Sequence, residues 1–388
     1  MYSLSDYHYT LSQDLIAQEA IHPHHDARIM VIDRDTGKLQ DEDIFWNIDQ
    51  YLGDNRVIFF NDSRVMRSRV ILSDIAYTKK DSTTWILSDG EIFYLTKTSE
   101  KEFEALVRPG NKFKTGTIFS IGQYRVEVMR MTESGRILRI AWWDIASFLA
   151  SYGTLPLPPY IEYSAEKEAD YQTSFARTDG SVAAPTASLH FTSELMEKIK
   201  TPKEYLTLHV GLGTFKGIQT PDIRNYDIHR ERIEISIDIF AKIATLKNEN
   251  KKVVAVGTTA CRTLESLPYL WKLLNPNIQN QFDANTRKYW NNLAEKLKKQ
   301  NWIHDIMAYD ENSYFSEISF DTSIYITPGY TFQIVDDLVT NFHLGESSLL
   351  VLVSAFLGYD ATMSIYRYAV EHRYRFYSFG DGMYIRGK

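Results

Sequence analysis

The sequence predicts an α/β body interrupted by a small inserted β-barrel domain. Three observations carry this. Apolar runs ending in polar or glycine-rich turns recur along the chain: RVIFFNDSRV at 56–65, YLTLHVGLG at 205–213 and KKVVAVGTT at 251–259. Such runs are buried strands, and polar groups at their ends are where open α/β sheets hold ligands. From about Val70 to Leu155 the character changes to short alternating segments such as EIFYLTK, FEALVR and YRVEVMRM, separated by SDG, RPGNK and ESG. Short strands with regular turns indicate a small all-β unit. The α/β pattern then resumes, which places the body at 1–69 and 156–388 and the barrel at 70–155.

In chain order, RIMVIDRDTGK from Arg28 reads as a strand ending in a glycine turn. TSIYITPGY at 322–330 reads the same way. The Lys- and Asn-rich stretch around 266–315 predicts a peripheral helical insertion. Its Trp290, Leu293 and Leu297 share one face at i, i+3 and i+7. The longest apolar run, LLVLVSAFLG at 349–358, is too short for a membrane span and predicts a buried helix.

A chain of 388 residues is long enough for two domains and a sizeable core. Its single cysteine, Cys261, excludes an internal disulfide framework and suits a reducing, cytoplasmic setting. Lys and Arg number 43 against 50 Asp and Glu, a net charge of -7. That counts against indiscriminate binding of nucleic acid, which depends on phosphate neutralisation. It leaves room for local basic clusters such as Arg64, Arg67 and Arg69, or Arg108, Lys112 and Lys114.

The stretch from Tyr171 to Thr192 packs Gly180, Ser181, Pro185, Thr186, Ser188 and His190 into a run that is neither helix nor strand. Small and hydroxyl residues let backbone approach a ligand closely, so this reads as a binding loop. Thr192 is placed to cap a following short helix.

His190, His209, His229 and His343 are the candidate proton carriers. His229 stands two residues before Glu231 in IHRE, on one strand face, a candidate acid/base pair. Zinc deaminases also use H-x-E but need further cysteines, so no zinc site is expected there. His22, His24 and His25 in HPHH read as surface residues, and no metal is predicted. Gly257, Thr258 and Thr259 open a helix whose free N–H groups attract anions. Gly211, Gly213 and Gly217 give G-x-G-x-x-x-G, one residue off the dinucleotide fingerprint. Asn341, His343, Arg375 and Asp381 complete the polar residues near the C-terminus.

Several blocks then carry a family resemblance: GTLPLPPYI at 153–161, HVGLGTFKGI at 209–218, AVGTTACRTLES at 255–266, TPGYTFQIVDDLVTNFHL at 327–344 and YRFYSFGDGM at 374–383, preceded by NDSRV at 61–65. In this order they closely resemble the S-adenosylmethionine:tRNA ribosyltransferase-isomerase family of queuosine biosynthesis. The resemblance extends over most of the chain from Asn61 onward. It implies an α/β body with an inserted barrel. The implied reaction moves and isomerises the ribosyl group of S-adenosylmethionine onto 7-aminomethyl-7-deazaguanine in the tRNA wobble position. Epoxyqueuosine-tRNA, adenine and methionine result. The sulfonium activates its own neighbours, so no metal is required.

The candidate catalytic residues are then His190, His229, Glu231 and His343. Those for the co-substrate are Thr186, Gly211, Gly213, Thr214, Gly257, Thr258, Thr259, Arg262, Asn341, Arg375 and Asp381. All are expected to converge on one pocket of a monomer that acts on tRNA, away from membranes. The chain departs from the family pattern at Arg67 and Ser68, where Pro-Ala is usual. It departs again at Gly345 and Glu346, where Pro-Lys is usual, and at Tyr226, where a histidine is usual. Two competing readings are another S-adenosylmethionine-using enzyme, such as a methyltransferase, and a non-catalytic tRNA-binding relative.

Overall fold

The computed structural model describes residues 1–133, 135–211, 213, 217–274, 276–298, 307–309 and 317–387. It divides into two compact units, 1–64 with 157–388, and 65–156. The divisions fall at 64/65 and 156/157, against the expected 69/70 and 155/156.

The larger unit is built on a ten-stranded mixed sheet. From one edge the order is Met307–Tyr309, Glu317–Thr322, Glu231–Ser236, Lys203–His209, Arg56–Asn61, Lys252–Val256, Asp337–Asn341, Gly382–Arg386, Arg28–Asp33 and Lys38–Ile44. The central four, Lys203–His209 to Asp337–Asn341, are parallel. Their carboxyl ends bring His209, Asn61, Val256 and Asn341 to one edge of the sheet. Alternate side chains feed opposite faces, as the two-residue period of a strand requires. Val57, Phe59, Val253 and Ala255 enter one apolar cluster, while Ile58, Phe60, Val254 and Val256 enter the other.

The strands differ from the sequence reading in several places. TSIYITPGY does not form a strand of its own. Pairing with Glu231–Ser236 places the strand earlier, at Glu317–Thr322, and 324–326 is buried without a strand ladder. Among the strands that sequence reading passed over is Asp337–Asn341. An acid in a buried strand disguises it, and the acid is answered: Asp337 is paired with Arg56 and accepts the Tyr384 hydroxyl at 2.7 Å.

The expected peripheral insertion also begins differently. Helix Gly257–Leu273 runs straight through its start and buries Leu264, Leu267, Leu270 and Trp271, so that part belongs to the core. Further on, helix Ala284–Lys298 buries Trp290 and Leu293, and the Trp290 indole N–H donates to the Phe240 carbonyl at 2.8 Å. The Leu297 side chain and residues 299–306 and 310–316 lie outside the described residues. Among those described, no single helix is long and apolar enough to cross a membrane.

The smaller unit is a nine-stranded antiparallel sheet with Gly153–Thr154 at one end and Thr84–Leu87 at the other. Val70 and Leu72 from one side share a core with Tyr77 and Leu87 from the other, and helix Ile145–Tyr152 adds Ile145, Phe148 and Leu149. The sheet therefore winds about its own core. Among the described residues no ladder joins its two ends, so the closure of a barrel is not seen. One end strand has only two residues to offer. Residues 65–156 contain 13 Lys and Arg against 10 Asp and Glu, a net +3, so the rest of the chain carries -10.

Candidate active site

The carboxyl edge of the parallel strands is where the binding loop folds. Strand Thr178–Ser181 leads in, and Ser181 fixes it there. The Ser181 hydroxyl donates to Ser63 at 2.8 Å and accepts the Val210 N–H at 3.0 Å. Thr186 opens a short 3-10 turn, Thr186–Ser188. Thr192 then caps helix Ser193–Lys198, its hydroxyl accepting the Leu195 N–H at 3.3 Å.

A cavity of about 150 Å³ opens against this loop. Its walls include Tyr160, Tyr171, Ala183 to Ala187, Gly257, Thr258, Thr259, Thr340 to Leu344, Tyr377 and Ser378. Of the predicted site residues, Thr186, Gly257, Thr258, Thr259, Asn341 and His343 line it. Gly257 has φ +86°, in the left-handed region that favours glycine. It turns the chain from strand Lys252–Val256 into helix Gly257–Leu273, which has no side-chain cap. The first N–H groups of that helix are thus available to an anion.

Three buried polar atoms in the cavity wall have no hydrogen-bond partner among the described residues: Tyr171 Oη, Thr259 Oγ1 and Asn341 Oδ1. Buried polar groups are nearly always satisfied, so orphans converging on one cavity point to a ligand. The Asn341 amide is oriented by its neighbours. Its Nδ2 donates to the Tyr377 carbonyl at 3.0 Å and to His190 Nε2 at 3.3 Å. That leaves Oδ1 as an acceptor for the ligand. Tyr377 holds φ +71°, unusual for a residue with a side chain, and so delivers its carbonyl to Asn341. Its ring packs on Tyr160 at 4.7 Å.

His190 does not line the cavity. It stacks on Phe45 at 3.9 Å, and its Nδ1 faces the His24 carbonyl at 3.4 Å. A carbonyl only accepts, which puts the proton on Nδ1 and leaves Nε2 to accept from Asn341. Burial pushes the His190 imidazole down to about 3, so the ring is neutral and serves as a positioning residue. His343 does line the cavity. Burial also pushes it down to about 3, and its Nε2 lies 2.8 Å from the Thr340 hydroxyl. Its backbone is pinned from both sides: the carbonyl accepts the Tyr9 hydroxyl, and the N–H donates to Tyr366 Oη at 3.0 Å.

The remaining predicted residues form a second group. Buried Glu231 is ion-paired with buried Arg262, lies 3.3 Å from His229 Nε2 and accepts the Gly211 N–H at 3.2 Å. Burial alone would raise the Glu231 carboxyl, but the Arg262 guanidinium and His229 outweigh it and hold it at about 2. Gly213 is needed for close approach: a Cβ there would sit 2.2 Å from the His229 ring. His229 and Arg262 line a much smaller cavity of about 10 Å³, which shares Leu349 with the larger one. A space of that size suits no more than a water. Arg262 nevertheless lies one turn beyond Thr258 on the same helix. Thr214 lies outside the described residues.

Arg375 and Asp381 do not line either cavity. Asp381 is fully buried and accepts the backbone N–H groups of Arg28 at 2.9 Å and Arg375 at 2.8 Å. It fixes a turn instead of facing a ligand. The Arg375 side chain donates to the Glu19 carbonyl. The expected single pocket is therefore one cavity, one adjoining ionic cluster and a structural turn. Sequence reading missed Tyr160, Tyr171 and Tyr377 as wall residues. They stand inside the quoted blocks or at the start of the loop, but an aromatic in a motif carries no mark of which way it faces.

The family described as queuosine biosynthesis protein matches residues 4–385. The S-adenosylmethionine:tRNA ribosyltransferase-isomerase of Clostridioides difficile is 36% identical, over 98% of this chain and 99% of the relative. That of Halothermothrix orenii is 37% identical with the same coverage. A solved structure of S-adenosylmethionine tRNA ribosyltransferase from Thermotoga maritima aligns with 98% of this chain and 99% of that one, at 28% identity and a TM-score of 0.48. With the family matching residues 4–385 and relatives of 36% and 37% identity covered almost end to end, the chain belongs to the S-adenosylmethionine:tRNA ribosyltransferase-isomerases of queuosine biosynthesis.

Proposed function

We propose that this chain transfers and isomerises the ribosyl group of S-adenosylmethionine onto 7-aminomethyl-7-deazaguanine in the wobble position of tRNA. Adenine and methionine leave. The observation that carries the site assignment is the cavity with three orphaned polar atoms beside an uncapped helix N-terminus. The N–H groups of Thr258 and Thr259 suit the methionine carboxylate. The Tyr160 and Tyr377 rings offer a face to adenine, and Asn341 Oδ1 accepts an N–H from the ligand. The reaction needs a base to take the proton beside the sulfonium. His343 is the histidine that lines the cavity, so it is the one placed to take that proton, and burial makes it a weak base until the site is filled. Glu231 holds no proton at neutral pH. It acts by fixing Arg262 and the Gly211 backbone, and it is not the acid that helps adenine leave.

The unit 65–156 is read as the family's barrel and as the tRNA-facing part. Its excess of positive charge suits phosphate. Trp142 and Trp143, 75% and 43% exposed, offer stacking faces to unpaired bases. The enzyme is read as a cytoplasmic monomer whose chemistry draws on no metal.

Incubation with S-adenosylmethionine and precursor tRNA tests the reading. Adenine and methionine are expected in equal amounts, only with modified tRNA present. S-adenosylhomocysteine without adenine would instead identify a methyltransferase. Binding of tRNA without turnover would identify a non-catalytic relative.

A further inference from the structure

We propose that His22, His24 and Asp170 form a site for a divalent transition ion of the zinc class. The histidines come from one loop, and Asp170 ends the short helix Glu166–Asp170, 146 residues from His24. One ligand atom from each lies within 4.8 Å of the others. His22 Nε2 is 3.3 Å from one Asp170 oxygen and His24 Nε2 is 3.1 Å from the other. Ligands about 2.0–2.2 Å from a tetrahedral zinc stand roughly 3.4 Å apart, so the spacing is close to that of a coordinated set. His25 takes no part. It turns to Thr192 at 2.7 Å and packs on Trp46.

The decisive feature is the far side of His24. Its Nδ1 lies 3.1 Å from the Leu189 carbonyl. A carbonyl accepts only, so the Nδ1–H faces it and Nε2 is the ring atom turned to the Asp170 carboxylate. A backbone carbonyl behind the ligating histidine is the usual outer support of a metal-bound imidazole. His22, with its side chain 65% exposed, closes the set from the solvent side and leaves a position for water.

The site abuts the cavity wall by two short routes. Asp170 precedes Tyr171, whose unpartnered hydroxyl lines the cavity. The His24 carbonyl holds His190 Nδ1, and His190 holds Asn341. An ion here staples the 22–26 loop to the 166–171 segment and stiffens that wall. It takes no part in the bond-making step.

Titration of the purified full chain with Co²⁺, followed by its visible absorbance and by calorimetry, tests this. One ion per chain with a four- or five-coordinate spectrum is expected, displaced by Zn²⁺, together with a rise in melting temperature. His22→Ala and Asp170→Asn should each weaken binding by about tenfold or more. His22→Ala removes a solvent-facing ring, so its melting temperature without metal should match the parent. The proposal is overturned if no ion binds, which leaves a proton between His24 and Asp170. It is also overturned if the ion binds equally well to both variants.

Discussion

The cavity around Asn341 and the cluster around Glu231 adjoin at Leu349, yet they are built on opposite principles. The cavity wall is neutral: one buried histidine, His343, an amide oriented by a second histidine behind it, and hydroxyls. The cluster is ionic: a buried carboxylate paired with a buried guanidinium, whose Nη2 has no hydrogen-bond partner among the described residues. A cationic co-substrate gains from a wall whose acceptors are fixed but uncharged, since nothing there must give up a proton or a partner to receive it. The ionic pair holds backbone in place, Glu231 through the Gly211 N–H and Arg262 through the Ile324 carbonyl. The contrast separates groups that line a cavity from groups that fix the frame.

The largest effect should come from opening the ionic pair. Arg262→Met strands the Glu231 carboxylate in the interior and should cost about 3–5 kcal/mol of stability. Adding Glu231→Gln to the same chain should recover most of that loss. Denaturant unfolding of the two variants decides; equal losses in both would dissolve the distinction drawn here. On the neutral side the effect should fall on turnover. His343→Gln keeps a polar side chain but cannot take the proton, so kcat should drop about a hundredfold or more with little change in S-adenosylmethionine binding. His190→Ala, by contrast, should act through Asn341. It should raise KM and leave kcat closer to the parent, and the opposite split would make His190 the proton carrier.

Acidity sharpens the comparison. Both histidines are depressed to about 3 in the fold, below the ordinary value of 6.5, so the unfolded chain takes up protons that the folded one refuses. Their contribution is present above pH 6.5. It is lost at up to about 1.4 kcal/mol per pH unit per histidine as pH falls below that. Glu231 is depressed from 4.5 to about 2, so its contribution is present above pH 4.5 and is lost only below. The slope of stability between pH 6.5 and 5 should therefore fall by about half in His343→Gln, where His190 still contributes, and be kept in Glu231→Gln. Parallel curves for all three proteins would refute the assignment. The smallest effect concerns Glu346, which has φ +57° and lies 3.6 Å from His8. Glu346→Lys should steepen the salt dependence of tRNA binding by roughly one phosphate contact. An unchanged slope would place that loop away from the tRNA backbone.

Much of the frame was legible from periodicity. The strands at 56–61 and 252–256, the alternating stretch after Val70 and the Thr192 cap each follow from local pattern. The cavity was legible in part, because glycine, threonine and asparagine at strand ends mark an edge that holds ligands. What escaped depends on distant partners. Asp337 reads as a strand breaker until Arg56 and Tyr384 meet it. Asp381 reads as a site acid until the N–H groups of Arg28 and Arg375 claim it. Asp170 has no meaning beside the HPHH run until the fold closes 146 residues. Pattern reports which face a residue takes, while pairing is a property of the folded chain.

Helix Gly257–Leu273 meets the cavity with its first turn, grips Glu231 through Arg262, and buries Glu265 one turn further on. Glu265 accepts the N–H groups of Gln333, Ile334 and Val335 and the Tyr330 hydroxyl. Those residues lead directly into the strand that delivers Asn341. One rod therefore sets the position of both the helix N–H donors and the Asn341 acceptor around the cavity. For anyone grafting this site onto a related scaffold, the transferable unit is larger than the residues that touch the ligand. The helix, the 330–335 segment and strand Glu231–Ser236 would have to travel together, because moving any one alone breaks the alignment that the other two maintain.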